Sequence, residues 1–367
     1  MKRGVTPALA HLETELGLLA DAGLLRRPPA VHRRGKPSFC SNDYLGLADA
    51  DPGDVPWGAG ASRLVAGEHV EHGMLEAALG SWLGVEGTLL FTSGYAANVG
   101  LVPALAFSGD DLIVSDALNH ASLVDGCRLA RAKTVIAPHK DHEAVRALLR
   151  GSKAKRRWVL TESYFSMDAD TPDLAALRGI CDEYAAGLIV DEAHALGVLG
   201  PDGRGLLAAS NVQADVVIGT LGKAFGGAGA FVGGCHALRE WLWNRARSFV
   251  FSTGQSPRVA HAALTALERL RTGDDLRRAT LERADQLRAG LQSLGHSPLG
   301  YGHVVPWLIG DSREASRVAA SLREQGFPVE PIRPPSVAPG TARIRFTASA
   351  SQRPEDVAEL LHAIGKG

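Results

Sequence analysis

Lys223 sits in Thr220-Leu-Gly-Lys-Ala-Phe-Gly-Gly, directly after the β-branched run Asp215-Val-Val-Ile-Gly-Thr220. An amine just past a buried strand, flanked by Gly222 and Gly226, has room to meet a flat ligand. A lysine that loses its proton on desolvation can form a Schiff base. Taken alone, this stretch fits a surface turn with a solvated lysine equally well. Asp191 ends a second apolar run in Val190-Asp-Glu-Ala-His194. A carboxylate buried there needs a cationic or hydrogen-bonded partner, which a protonated ring nitrogen would supply; a helix-capping role is the plainer reading. His194 could bond a phenolic oxygen, and His120 in Leu118-Asn-His-Ala-Ser122 could stack on a ring face. Each histidine is also compatible with an ordinary structural role. Thr92-Ser93-Gly94-Tyr95 stands where a strand passes into a helix, leaving backbone N–H groups for a phosphate, or simply a serine cap.

Strand ends are therefore what the chain must supply. Apolar strands are expected at Thr88–Phe91, Leu112–Ser115, Thr134–Ala137, Trp158–Thr161, Gly187–Asp191, Val216–Thr220 and Phe231–Gly233, separated by helical segments. Near-continuous apolar strands of this kind predict an α/β fold with a mainly parallel sheet flanked by helices. Ligands in such sheets gather at the carboxyl ends of the strands, where Ser93, His120, Glu162, Asp191, His194 and Lys223 all fall. Upstream, Leu9, Leu12, Leu16 and Leu19 predict an amphipathic helix over 7–25, followed by Arg26, Arg27 and Pro28-Pro29. Downstream of Pro257 the pattern changes to long charged helices over roughly Arg258–Leu294. Strands at His303–Ile309, Phe327–Ile332 and Ala342–Thr347 follow, with helices at Ser312–Gln325 and Arg353–Ile364, a small α+β unit. The expected organisation is an N-terminal helix and arm over 1–41, a large ligand-binding domain over 42–256, and a small C-terminal domain over 257–367.

Several functions are disfavoured. With 45% hydrophobic and 22% charged residues among 367, a net charge of −1 and a pI of about 6.9, no overall field draws nucleic acid or anionic lipid. The basic run at Lys153, Lys155, Arg156 and Arg157 reads as a solvated loop. No stretch reaches the roughly 20 apolar residues of a membrane span. Cys40, Cys127, Cys181 and Cys235 form no Cys-x-x-Cys pair, and no metal-ligand spacing accompanies them or Asp191-Glu192-His194. The start, Met1-Lys2-Arg3, continues into Glu13, Glu15 and Asp21 and does not read as a signal peptide, so a cytoplasmic protein without metal is expected. Gly203-Arg-Gly-Leu-Leu-Ala208 matches a dinucleotide pattern but follows a Pro-Asp-Gly turn, not a strand, and a dinucleotide site is rejected.

Taken together, the motifs resemble the α-oxoamine synthases of the fold-type I pyridoxal-phosphate enzymes. They are Ser41-Asn-Asp-Tyr-Leu-Gly46, Gly60-Ala-Ser-Arg-Leu-Val-Ala-Gly67 with His72-Gly-Met-Leu-Glu76, Ser93-Gly-Tyr-Ala-Ala-Asn98, Asn119-His-Ala-Ser122, Thr161-Glu-Ser-Tyr-Phe-Ser-Met-Asp168, Asp191-Glu-Ala-His194, Thr220-Leu-Gly-Lys223, Phe251-Ser-Thr253 and Arg333-Pro-Pro through Arg343. They occur in family order across nearly the whole chain. Two features depart from the family pattern: Ala195 replaces a glycine, and the stretch between Arg26 and Asn42 is short, which leaves Arg26 and Arg27 both open as a substrate contact.

The resemblance implies pyridoxal 5'-phosphate as cofactor, carried by Lys223, which also moves the substrate Cα proton. It implies that Asp191 keeps the ring nitrogen protonated, that His120 stacks on the ring and reaches the substrate carboxylate, and that His194 bonds the ring oxygen. Ser93, Gly94, Tyr95, Glu162, Ser166 and Thr220 are implied to line the cofactor and its phosphate. Ser252 and Thr253 would come from the second subunit of a homodimer. For the substrate, the resemblance points to Arg26, Asn42, Arg333, Ser336 and Arg345, with Arg345 or Arg333 gripping a carboxylate through the planar fork of arginine; Arg343 is expected to face solvent. The Arg333-Pro-Pro stretch and the lack of a membrane-seeking segment favour the branch that condenses L-alanine with a pimeloyl thioester of coenzyme A or acyl carrier protein. Branches using glycine with short thioesters, or serine with palmitoyl thioester, are the alternatives, and a regulator that binds the cofactor without catalysis is a more remote one.

Overall fold

A computed structural model describes residues 11–26, 37–48 and 53–366; the expected helical residues Pro7–Ala10, Arg27 and Pro28-Pro29 lie outside them. After α1 (His11–Asp21) come α2 (Val70–Leu83), β1 (Gly87–Phe91), α3 (Gly94–Leu105), β2 (Asp111–Asp116), α4 (Ala121–Leu129) and β3 (Lys133–Ala137). Alternation continues through α5 (His142–Arg150), β4 (Arg156–Glu162), α6 (Leu174–Glu183), β5 (Gly187–Asp191), α7 (Gly205–Ala209), β6 (Val216–Thr220) and β7 (Ala230–Gly234). Then follow α8 (His236–Arg245), α9 (Arg247–Val250), α10 (Pro257–Arg271), α11 (Asp274–Ser293), β8 (Val304–Gly310), α12 (Ser312–Glu324), β9 (Pro331–Ile332), β10 (Ala342–Thr347) and α13 (Pro354–Gly365).

The chain forms two compact units, one of residues 42–282 with 349–351 and one of 1–41, 283–348 and 352–367, so the division falls within α11. Ser256, where the composition changes, is the residue preceding α10.

In the larger unit a seven-stranded sheet has the order β1-β7-β6-β5-β4-β2-β3. The β6-β5-β4-β2-β3 pairs are parallel, and β7 runs antiparallel to both β6 and β1. Because β1 and β6 are each antiparallel to β7, they point the same way, and the carboxyl ends of β1, β2, β4, β5 and β6 share one edge. Apart from the edge strand β3, where Lys133 and Ile136 are exposed, the strands are apolar and largely buried on both faces, as helix-covered parallel strands must be. One face packs Leu89, Ile113, Leu160, Ile189 and Ile218 against α3; the other packs Val114, Val159, Leu188 and Val190 with α5 and α6 residues. Each buried Leu or Ile contributes roughly 1.5–3 kcal/mol relative to exposure.

In the smaller unit β10 lies between β8 and β9, antiparallel to both. The charged helices expected over Arg258–Leu294 are two: α10 stops before Thr272-Gly273, Asp274 and Asp275 open α11 where negative charge complements the helix dipole, and Arg277 donates to the Leu270 carbonyl at the end of α10. Two expectations are corrected. The strand over Phe327–Ile332 shrinks to Pro331–Ile332, since Pro328 has no N–H for a ladder and gives its carbonyl to Phe39 N at 3.1 Å. Arg343 is buried at 5% exposure, not solvent-facing, because both faces of β10 are covered, and its Nε donates to the Thr341 carbonyl at 3.0 Å.

The turn after β6 folds tightly: Leu221 N donates to Gly229 O at 2.9 Å, Gly227 N to Leu221 O at 2.9 Å and Gly226 N to Lys223 O at 2.8 Å. Gly226 has φ +66, and a Cβ there would stand 2.3 Å from the Leu47 carbonyl carbon and 2.4 Å from Ala48 N. Gly226→Ala is expected to cost at least about 2 kcal/mol from left-handed strain plus backbone collision. Urea unfolding of the variant checks this, and an unchanged midpoint would show that the turn can relax.

Candidate active site

Five strand ends converge on one edge of the large sheet, and each carries a polar group. At the end of β5, Asp191 is 7% exposed. Its Oδ1 accepts Ala193 N at 2.9 Å and its Oδ2 accepts Asn98 Nδ2 at 3.1 Å. The capping role and the buried-carboxylate role thus coexist. Among the described residues Asp191 has no ion-pair partner, so a buried negative charge stands ready for a cation from outside. Asn98 comes from α3 and also donates to Ser122 Oγ at 2.9 Å, while its Oδ1 is buried without a hydrogen bond.

Ser122 leads to His120, whose Nδ1 lies 2.7 Å from Ser122 Oγ and accepts Ser122 N at 3.2 Å, capping α4. The His120 backbone N–H donates to Glu162 Oε1 at 2.6 Å. Burial and then the Lys223 charge push the His120 pKa down, leaving a neutral imidazole at pH 7; Asp191 opposes them. The same influences show that His120, Lys223 and Asp191 share one electrostatic site. Glu162 pairs in register with Asp191 across β4 and β5. Burial, then the Asp191 charge, pushes Glu162 up to about 8, so it holds a proton at neutral pH. Glu192, pushed up to about 7 chiefly by burial, accepts Leu206 N at 3.0 Å and Leu207 N at 2.9 Å and so anchors the start of α7.

Lys223 Nζ lies 2.9 Å from His194 Nε2, and His194 Nδ1 lies 2.9 Å from Tyr44 Oη. Tyr44, fully buried, donates to Asn42 Oδ1 at 3.0 Å. With the phenolic proton used on Asn42, Nδ1–H of His194 donates to Tyr44, and Nε2 presents its lone pair to Lys223. The sequence assigns no role to Tyr44 or Asn98, although both lie in family-like motifs; no spacing rule connects Tyr44 to a histidine 150 positions later.

Ser93 caps α3 by accepting Ala96 N at 3.0 Å. A Cβ on Gly94 would meet only Thr220 Oγ1, at 3.9 Å, so the N-terminus of α3 is open beside Thr220. Thr220 Oγ1 donates to Gly229 O at 3.1 Å and accepts Gly222 N at 3.2 Å. Tyr95 is half-exposed, with its hydroxyl on Asp125 at 2.7 Å. Ser166 is buried in the turn after β4. Ser252 and Thr253 follow α9 and line a small cavity with Arg63 and Thr92.

The remaining candidates belong to the smaller unit. Arg345 is buried on β10. Arg333 donates to Gly23 O and to Ser316 Oγ, and burial with the nearby Arg26 charge lowers its pKa. Ser336 and Arg26 are exposed.

A comparison with known proteins agrees with this geometry. The pattern of the family "aminotransferase class I and II" matches residues 36–364. The 8-amino-7-oxononanoate synthase of Anaeromyxobacter dehalogenans strain 2CP-1 is 44% identical over 387 aligned positions, covering 99% of this chain and 96% of the relative. That of Herminiimonas arsenicoxydans is 42% identical, covering 96% and 98%. Among solved structures, a serine palmitoyltransferase from S. paucimobilis with bound PLP superposes with a TM-score of 0.90 at 26% identity, covering 99% and 98%. An 8-amino-7-oxononanoate synthase from Francisella tularensis gives 0.76 at 25%, covering 91% and 98%. The fold is that of the fold-type I pyridoxal-phosphate transferases, and the chain belongs to the class I and II aminotransferase family. Within that family it belongs with the 8-amino-7-oxononanoate synthases.

Glu162 gives a test of the electrostatics. Its folded pKa lies above the unfolded value, so its contribution to stability is full below about 4.5 and is lost as pH rises toward about 8. Glu162→Gln keeps the acceptor for His120 but does not titrate. The unliganded variant should therefore gain stability relative to the parent between pH 5 and 8, measured by urea unfolding; parallel pH curves would mean that Glu162 is not perturbed.

Proposed function

We propose that this chain is a pyridoxal-phosphate-dependent acyltransferase that joins L-alanine to a pimeloyl thioester of coenzyme A or acyl carrier protein. Carbon dioxide and the free thiol are released and 8-amino-7-oxononanoate is formed for biotin synthesis. The observation that carries the reading is a lysine–histidine pair and a carboxylate buried with no ion pair among the described residues, meeting at the strand ends of a chain 44% identical over its length to such a synthase.

The donor set fits the cofactor. A pyridinium N–H satisfies the Asp191 charge, which the described residues leave without an ion pair. The open N-terminus of α3, with Ser93, Gly94 and Tyr95, suits a phosphate dianion, and Thr220 and Ser166 complete its surroundings. His120 offers a neutral ring for stacking, Glu162 holds it through its backbone, and His194 offers a nitrogen to the ring oxygen. Bound there, pyridoxal 5'-phosphate supplies a conjugated ring that takes up the electron pair left when a bond at the substrate Cα breaks.

Everything else falls to the chain's own groups. Lys223 would hold the cofactor, and its amine would take the substrate Cα proton, with the His194 lone pair 2.9 Å away to keep it oriented. Cα then attacks the thioester carbonyl carbon, the C–S bond breaks, and the thiolate leaves. The alanine carboxylate is lost as carbon dioxide, and Lys223 returns a proton to the same carbon. An arginine fork, Arg345 or Arg333, holds a substrate carboxylate, with Arg26, Asn42 and Ser336 along the acyl chain. The reading includes a cytoplasmic homodimer in which Ser252 and Thr253 serve the partner subunit's phosphate site. No helix among the described residues is long and apolar enough to cross a membrane. A serine- and palmitoyl-using reaction is less well supported, because the solved serine palmitoyltransferase is only 26% identical.

Purified protein given L-alanine and pimeloyl-CoA should release coenzyme A, detected with a thiol reagent; faster release from glycine with acetyl-CoA would overturn the substrate assignment. Lys223→Ala should lower that rate by a factor on the order of 10² or more, the usual contribution of a positioned base, in a protein whose circular dichroism is unchanged. A rate near that of the parent would remove Lys223 from the chemistry.

A further inference from the structure

His139 stands two residues beyond β3, between two carboxylates. Its Nδ1 is 2.9 Å and 3.1 Å from the two Asp116 oxygens, and its Nε2 is 3.2 Å and 3.3 Å from those of Asp170. An ionised carboxylate only accepts hydrogen bonds, so both ring nitrogens must donate, which requires the doubly protonated imidazolium. The ring also meets Phe165 edge-on, with centroids 4.5 Å apart and planes at 79°.

Each carboxylate shapes a turn that leads into the site. Asp116 ends β2; its Oδ1 accepts Leu118 N at 2.8 Å and its backbone carbonyl accepts Asn119 N at 3.3 Å, setting the turn into His120. Its Oδ2 accepts Lys140 N at 3.1 Å. Asp170 bridges Phe165, with Phe165 N donating to Asp170 O at 2.9 Å, and so closes the turn that holds Ser166.

We propose that His139 is a positioning residue for the reaction: as an imidazolium between Asp116 and Asp170 it fixes the turn presenting His120 against the turn presenting Ser166. This inference rests on the reading that those two turns frame pyridoxal phosphate. His139 reaches the cofactor only through them. Burial by itself would lower the His139 pKa, but the hydrogen bonds and charges of Asp116 and Asp170 outweigh it and raise the pKa to about 9. The charged groups around the ring are those two carboxylates and Lys140, whose ammonium lies against Asp170. Asp170 itself, despite burial, is held below its ordinary pKa by His139 and Lys140. Since the folded pKa exceeds the unfolded one, the clamp is complete below about pH 6.5 and is lost as pH rises through about 9.

The test is binding of pyridoxamine 5'-phosphate, which has the same ring and phosphate but forms no bond to Lys223, to cofactor-free protein. Titrations followed by fluorescence at pH 7 and pH 10 compare the parent with His139→Gln and Asp170→Asn, and thermal unfolding of each unliganded protein is recorded alongside. At pH 7 both variants should bind roughly tenfold or more weakly, as loss of outer supporting residues commonly causes, while the unliganded variants stay folded with unfolding temperatures lower by only several degrees, the loss that removing a charged clamp entails. Between pH 7 and 10 the parent should lose affinity toward the level of His139→Gln, whose own change is smaller. Parent-like affinity of both variants at pH 7, or an equal pH dependence in parent and His139→Gln, would overturn the role given to His139. So would a weakening matched by a collapse of unliganded stability. If His139→Gln does not fold, Asp170→Asn and the pH dependence of the parent decide. A parent that does not bind the probe at all condemns the cofactor reading and this inference with it, whereas a binding parent with unaffected variants condemns the inference alone.

Discussion

A carboxylate at the end of a central strand, buried with no ion-pair partner among the described residues, sets the conditions for the groups around it. Isolating a charge in this way costs several kcal/mol unless something pairs with it, and two hydrogen bonds from Ala193 and Asn98 offset only part of that cost. The neighbours adjust instead. Glu162, opposite Asp191 in the β4–β5 ladder, keeps its proton, since two adjacent charges in a buried site repel. His120, linked to Glu162 through its backbone N–H and to Asn98 through Ser122, stays neutral beside Lys223. In the proposed reading this arrangement leaves one negative position for a cationic ring, and α3 serves it twice, with Asn98 on the carboxylate and an open N-terminus at Gly94 for a phosphate.

The Lys223 amine is oriented by a second chain of contacts. Lys223 meets His194, His194 meets Tyr44, and Tyr44 is held in turn by Asn42 through its hydroxyl. The Tyr44 backbone carbonyl accepts Thr280 Oγ1 at 2.8 Å and Ala350 N at 3.0 Å, so the far end of the relay is fixed. Gly226, pressed on Leu47 and Ala48, brings the lysine turn close to the segment that carries Tyr44. Hydrogen bonds of this kind contribute only about 1 kcal/mol each to stability, and their value lies in fixing which nitrogen of His194 has a lone pair for Lys223.

The strand ends were legible in the sequence because near-continuous apolar runs such as Gly187–Asp191 and Val216–Thr220 have few competing readings, and the polar residue that ends each run marks the edge of the sheet. The antiparallel sense of β7 was not, since its Ala-Phe-Val-Gly-Gly pattern reads the same in either direction. Local chemistry also misled. An Arg-x-Arg strand suggested a solvent face that proved covered. Tyr44, Asn98 and His139 carry roles that depend on contacts between distant segments, which no spacing rule encodes. Their motifs marked the first two as unusual without saying what they touch.

The central claim is that Lys223, and no other amine, carries the cofactor. Protein loaded with pyridoxal 5'-phosphate, reduced with borohydride, digested and mapped by mass spectrometry measures this directly. The account predicts one modified peptide, with the phosphopyridoxyl mass on Lys223. The same mass on another lysine such as Lys140, or an unmodified Lys223 in protein that retains the cofactor, would contradict it.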